Sequence, residues 1–405
     1  MGSWTHLSKG LPATLIGFAL SVLASTSAHA DCPVANQFVY SFTSATAATL
    51  SYASTYTYAA TNGLGQTQNI AASFIVNGAS GTVVGGQQMP AITTLINDGG
   101  TTNRNLVFGG ILGARTPNIA VNTNVFVLVL TFATPIRDFS AQINDIDFTA
   151  NQFRDWLAVA GSNGASSYTP SLVTPNGTNN TAAGPHVSGT SSMVVGAATV
   201  PVAVTISQAA GTGASGNNST TGTVNASFVE PVTRVEIRYG NYPLQTGETA
   251  TGPQGVGLQS ISFCPLPALS VLKSSTPFVT ATSDPARFNL PGSDVIYTLT
   301  VSNANTSAVD LEGTVLLDLL PPQMIFFNGD IDGAGPIATN FEFISGSSGL
   351  TMAPAGLTYS NNGGSSYGYT PAAGYDAAVN GLRINPKGSF APNSSFTIKF
   401  RTRIK

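Results

Sequence analysis

Short runs rich in Val, Ile, Phe, Tyr and Thr recur along this chain, each broken within a few residues by Gly, Asn or Pro. Branched and aromatic side chains fit a pleated, half-buried surface, and Gly, Asn and Pro supply the turns between such runs. No window sustains an apolar period of 3.6 residues, so almost no helix is expected. With 42% hydrophobic residues the chain has enough apolar surface for a core, although only 8% of its residues are charged. The fold class that follows is all-β, with strands at Phe38–Phe42, Thr49–Ser54, Ala72–Val76, Leu106–Ile111, Val125–Phe132, Phe139–Asp147, Trp156–Ala160, Val200–Ile206, Thr223–Val229, Val232–Tyr239 and Leu258–Cys264. "VTRVEIRYG" alternates: Val235, Ile237 and Tyr239 point one way, Arg234, Glu236 and Arg238 the other. Two stretches, Thr174–Pro185 and Gln208–Gly222, lack an apolar face and read as long surface loops.

The N-terminus reads as a removable export signal over residues 1–30. Leu11–Ala24 is apolar but too short for a comfortable membrane span, and Ala28 and Ala30 occupy the small-residue positions of a cleavage site. The expected mature chain begins at Asp31 and is secreted, displayed at the cell surface or held in a periplasm, with no transmembrane segment. It carries 14 basic against 18 acidic residues, a formal charge of −4. That balance argues against a nucleic-acid partner and against an anionic membrane surface. His186 is the one histidine left after cleavage. It excludes histidine-rich metal sites and, without a G-x-S-x-G elbow, gives little support to a Ser–His–Asp triad. An exported chain meets an oxidising compartment, so Cys32 and Cys264 are expected to form a disulfide. It would close a long loop and tie the first strand of a domain to its last, adding roughly 5 kcal/mol at most.

Cys264-Pro-Leu-Pro267 is the expected domain boundary. Residues 31–266 suit one large β-sandwich of jelly-roll or lectin-like type, and residues 267–405 suit an immunoglobulin-like sandwich. In the second region Val295, Tyr297, Leu299 and Val301 share one face. In "SSFTIKFRTRIK" Phe396, Ile398, Phe400 and Ile404 face inward, while Lys399, Arg401, Arg403 and Lys405 form an outward basic row that reads as protection of an exposed strand edge.

Lys273, "PGSDVIYTLTVSN" (Pro291–Asn303) and "LLDLLPP" (Leu316–Pro322) resemble the motifs of DUF11, a conserved repeat domain of bacterial and archaeal surface proteins. An extra Ser293 and "PPQM" in place of proline-glycine depart from its pattern. The resemblance covers about a third of the chain and implies a stalk or spacer module without catalytic residues of its own. The first region is similar to a sandwich module that often precedes DUF11, through phrases at Phe132–Trp156 and Pro231–Cys264.

The chemistry candidates centre on "INDIDFTANQFRDW" (Ile143–Trp156), which gathers Asp145, Asp147 and Asp155 with Arg154. Period two places Asp145 on the core face with Phe139, Ala141 and Ile143 unless a bulge intervenes, and a carboxylate there must be satisfied. Three readings stand. Backbone N–H groups with Arg154 or Arg137 could satisfy the aspartates. The aspartates, with Asn151 and Gln152, could offer hard oxygens to calcium. Or Asp145 and Asp147 could work as an acid and base, as in glycosidases, although no sugar-stacking aromatic cluster stands nearby. "NGDIDGAG" (Asn328–Gly335) fails the EF-hand test, since Phe341 takes the twelfth place, and reads as an acidic turn. Lys273 could be linked to Asn393 by an isopeptide bond, with Asp318 or Glu312 as the acid; the plainer alternative is an exposed strand lysine. The functional expectation is an exported, non-catalytic structural or interaction protein acting on cell-surface or extracellular components. The alternatives are a carbohydrate-binding or adhesin module, calcium-assisted, with its glycan near Asp145 and Asp147, and more remotely a secreted hydrolase.

Overall fold

The computed structural model describes residues 32, 34–100, 102–121, 123–149, 153–176, 180–195, 198–242, 252–278, 290–304, 307–333 and 339–405; for 180–195 and 198–205 it describes the backbone alone. The expected export signal, Asn151 and Gln152 lie outside these residues, and so does the side chain of His186. The described residues are all-β, with 3-10 turns at Val34–Asn36 and Pro354–Gly356. No helix among them is long and apolar enough to cross a membrane.

The chain divides into two compact units between Pro267 and Ala268. The principal strands of the first are β1 (Phe38–Ser41), β2 (Tyr56–Thr61), β3 (Thr67–Asn77), β4 (Asn105–Leu112), β5 (Val125–Asn144), β6 (Phe148–Thr149), β7 (Phe153–Asn163), β8 (Asn180–Val195), β9 (Ala198–Gly211), β10 (Val224–Phe228), β11 (Val232–Asn241) and β12 (Gln254–Pro265). Those of the second are β13 (Leu269–Pro277), β14 (Asp294–Asn303), β15 (Leu316–Leu319), β16 (Met324–Asn328), β17 (Phe341–Ile344), β18 (Leu357–Ser360), β19 (Gly374–Asp376), β20 (Gly381–Ile384) and β21 (Ser394–Ile404).

β5 organises the first unit. Its first half, to Phe132, pairs with β3 on one side and β11 on the other; from Ile136 onward it pairs with β10 and β12. The register breaks between Thr131 and Ile136, so one strand serves two sheets by turning a corner. One sheet runs β2-β3-β5-β11-β7-β9-β8. The other runs β10-β5-β12-β1, with β4 on the opening residues of β12. A pairing of Val39 with Thr61 joins β1 to β2 and closes a five-strand path, β1-β2-β3-β5-β12. Phe126, Leu128 and Leu130 enter the main core with Phe38, Phe108, Phe139, Ile237 and Tyr239. Val125, Val127 and Val129 enter a second cluster on the opposite face with Ile119, Trp156 and Ala158. Burial on both faces is why "VFVLVL" is apolar without alternation.

Three sequence expectations change here. Phe139–Asp147 is the second half of β5 and stops at Asn144. Thr49–Ser54 lies mostly outside any strand, with only Ala48–Thr49 in one. The expected loops 174–185 and 208–222 yield residues 180–185 and 208–211 to a long hairpin in which β8 pairs with β9, and β9 with β7. Backbone pairing to an existing sheet edge outweighs a weak local propensity.

In the second unit a six-stranded sheet runs β13-β14-β21-β16-β19, with β17 also on β21, and a separate three-stranded sheet runs β15-β20-β18. Leu299, Val301, Phe396, Ile398 and Phe400 form its core with Leu316, Leu382 and Ile384. The basic row does not guard an edge: β21 is central, flanked by β14 on one side and by β16 and β17 on the other.

Candidate carboxylate site

The site lies where β5 leaves the core. Ile143 is buried, and the backbone at Asp145 then enters the left-handed region at φ 72°. The alternation slips, so Ile146, not Asp145, takes the next core position. Asp145 is thus turned off the core face that simple period two assigns it. Asp147 follows, and β6 folds back on β7 as a short hairpin that returns Asp155 to the same place. The Asp155 N–H donates to the Asp147 carbonyl at 2.9 Å, while the Asp147 N–H donates to Asp155 Oδ2 at 3.0 Å. The Tyr239 hydroxyl donates to Asp155 Oδ1 at 2.5 Å, and the Ser215 N–H donates to Asp147 Oδ2 at 2.7 Å.

The loop after β9 wraps this hairpin closely. The Ile146 and Phe148 N–H groups donate to the carbonyls of Gly222 and Gly213. A Cβ at Gly211 would lie 1.8 Å from the Asp147 carbonyl oxygen, so the approach requires glycine there. Asp155 is 1% exposed and Asp147 5%. Asp145 Oδ1 is sealed from solvent and has no hydrogen-bond partner.

Crowding acids in a dry place favours their neutral forms. Burial, then the Asp147 charge, pushes the Asp145 carboxyl up to about 8. Burial and the same neighbour drive Asp155 well above its usual range. Burial raises Asp147 too, against the lowering effect of the Ser215 amide. The three sequence-selected aspartates are therefore brought together; one backbone amide donates to each of Asp147 and Asp155, and Tyr239 adds its hydroxyl to Asp155. The arginines are used otherwise. Arg154 stacks over Phe148 at 4.3 Å and Arg137 Nε lies 3.7 Å from Asp138. Among the described residues, no group of three or more His, Cys, Asp or Glu is arranged to hold a metal ion.

Sequence reasoning missed Tyr239 and Ser215 as partners. Tyr239 shares its alternating face with apolar Val235 and Ile237, so it reads as plain core, and Ser215 acts through its backbone. It also missed that the other face of β11 is buried. Glu236 accepts from Arg234 Nη2 at 2.6 Å and from Arg238 Nη2 at 2.7 Å, and Arg238, 0% exposed, also donates to the Ala120 carbonyl at 2.5 Å. Beside the cluster, Thr223 donates to Asn144, Asn144 to Gln259, and Gln259 to Asp98. Burial raises Asp98, but donation from Asn103 and Gln259 outweighs it and holds the carboxyl low.

The remaining candidates resolve differently. Cys32 and Cys264 form the disulfide, with Cα atoms 6.3 Å apart. It joins the segment before β1 to β12, on which β1 pairs through Phe38 and Phe263. Asp330 Oδ1 accepts from the N–H groups of Asp332 and Gly333, a side-chain-stabilised turn. Lys273 is not an exposed strand lysine, and Asn393 is not its partner. Leu269 is the residue of β13 opposite Asn303, which pairs with Ser394. Lys273 lies four residues further along β13, about 13 Å away at strand rise.

Fold and site together define an all-β protein with one disulfide and a buried carboxylate cluster at a sheet end. Neither a protein-family model nor a curated protein matches the chain. A crystal structure described as a membrane-anchored protein from Corynebacterium diphtheriae is similar at 12% identity, covering 87% of this chain and 89% of its own, with a TM-score of 0.11. At that score it carries no argument about fold or function.

Proposed function

We propose that this is an exported, non-catalytic structural and interaction protein: a disulfide-stapled β-sandwich followed by an immunoglobulin-like sandwich of DUF11 type, serving as scaffold or spacer at the cell surface or in the extracellular space. The observation that carries the reading is the Cys32–Cys264 disulfide, because such a bond persists in oxidising compartments. The use of Asp147 and Asp155 as acceptors for backbone N–H groups supports a structural role for the acids rather than an acid–base pair. Expression of the whole chain in a bacterial host tests it. The expected product is outside the cytoplasm, begins at Asp31 and has no free thiol. A full-length cytoplasmic product with two free thiols would sink the proposal.

A second reading is a calcium-assisted glycan-binding or adhesin site at Asp145 and Asp147. Asp145 Oδ1 favours it: a cation would give that buried oxygen a partner and keep the neighbouring acids ionised. Glycan binding that requires calcium and is lost in Asp145→Asn is the outcome that would select it over the scaffold.

A further inference from the structure

Lys273 lies on β13, at one edge of the six-stranded sheet, on the same alternating face as Leu269 and Val271, which pack on the core. Its ammonium is turned inward. Nζ is 2.6 Å from Asp318 Oδ1 and 2.8 Å from Oδ2, and 4.5 Å from the centre of the Tyr297 ring. Asp318 is 2% exposed and belongs to β15, in the separate three-stranded sheet. The pair therefore spans the core from one sheet to the other. A lysine is rarely turned into a core, and an ion pair in such a place offsets its own desolvation only partly.

We propose that Lys273 and Asp318 form an intramolecular amide bond that crosslinks the two sheets of the second unit. The pair contains everything the step needs. A proton passes from the ammonium to a carboxylate oxygen. The freed amine attacks the Asp318 carboxyl carbon, forming the C–N bond. The nitrogen gives up a second proton to the departing hydroxyl, and one water leaves. Nothing is oxidised or reduced. The carboxyl must rotate about its Cβ–Cγ bond so that the nitrogen meets the carbon from above its plane. Holding amine and acid together supplies an effective concentration on the order of 10⁵ M or more, enough to draw an amide from a mixture that in dilute water would stay separate. Burial, which raises the Asp318 carboxyl despite Lys273, favours the neutral acid that reacts.

The test is the mass of the full mature chain, denatured, with its disulfide reduced and its N-terminus determined on the same sample. Most molecules are expected to be one water lighter than their sequence, and fragmentation should yield one branched peptide carrying both Lys273 and Asp318. Lys273→Arg, which keeps a cation beside Asp318, should have its full sequence mass. A wild-type chain mostly at full sequence mass overturns the proposal and leaves an ion pair only. That measurement requires no variant to fold.

Discussion

Two carboxylate sites, one in each unit, meet opposite surroundings. In the first unit Asp145, Asp147 and Asp155 face one another, and their ionisation is pushed up. In the second, Asp294 accepts from Arg403 at 2.7 Å, from Arg401 at 3.0 Å and from the Tyr375 hydroxyl at 2.6 Å. Burial works upward on Asp294 too, but these donors outweigh it and hold the carboxyl low. Arg401 also lies 3.8 Å over Phe278 and Arg403 3.6 Å over Tyr375, so the basic row of β21 forms an ordered charged and aromatic ladder on its sheet. A carboxylate with its cations in place is electrostatically complete. A cluster of acids that relies on amides and a phenol holds protons instead, or draws in a cation.

That contrast can be broken from its balanced side first. Glu236→Ala should cost about 3–5 kcal/mol in denaturant unfolding of the first unit, because it strands the buried Arg238. A loss below 1 kcal/mol would mean that the Arg238 carbonyl contacts suffice alone. Asp294→Asn should cost about 1–3 kcal/mol and should abolish an acid-sensitive component of stability in the second unit. Because the Asp294 carboxyl is lowered on folding, its contribution is present above the usual pKa of 3.8 and is lost as pH falls below that value. Tyr239→Phe removes the hydroxyl donor to Asp155 and should cost about 1–2 kcal/mol in denaturant unfolding of the first unit. Asp145→Asn should have the least effect at pH 4, where it is near neutral, and should stabilise at pH 8, where the wild-type carboxyl is penalised, read from melts at the two pH values.

Much of the fold is legible in local pattern. The alternation of Val295, Leu299 and Val301, and of Phe396, Ile398 and Phe400, sets their strands because each residue has a core to meet. The site is legible as a gathering of three aspartates, since a tight hairpin of short span must bring Asp147 and Asp155 together. Its geometry is not. The left-handed turn at Asp145 reverses a face assignment, and nothing in "IND" signals it, although Asp is among the few residues that tolerate that region. The partners of the acids lie far along the chain, at Ser215 and Tyr239, and reach them only through sheet pairing. The burial of Glu236 and Arg238 was hidden for a related reason. Alternation identifies two faces of a strand but does not say that a sheet is covered on both. The strand 180–195 is set by pairing with its neighbour and not by its own small, polar residues.

The most direct test of the scaffold reading is the melting of the first unit from pH 4 to pH 8, in EDTA and again in millimolar calcium. Asp145 rises on folding from 3.8 to about 8, so its contribution is full below 3.8 and declines as pH climbs toward 8. The expected result is a midpoint that falls across that window, reflecting a stability loss on the order of a few kcal/mol, identically with and without calcium, and a flatter profile in Asp145→Asn. A midpoint that calcium raises by several degrees at pH 8, with the gain lost in Asp145→Asn, would contradict the scaffold account and make the cluster a cation site.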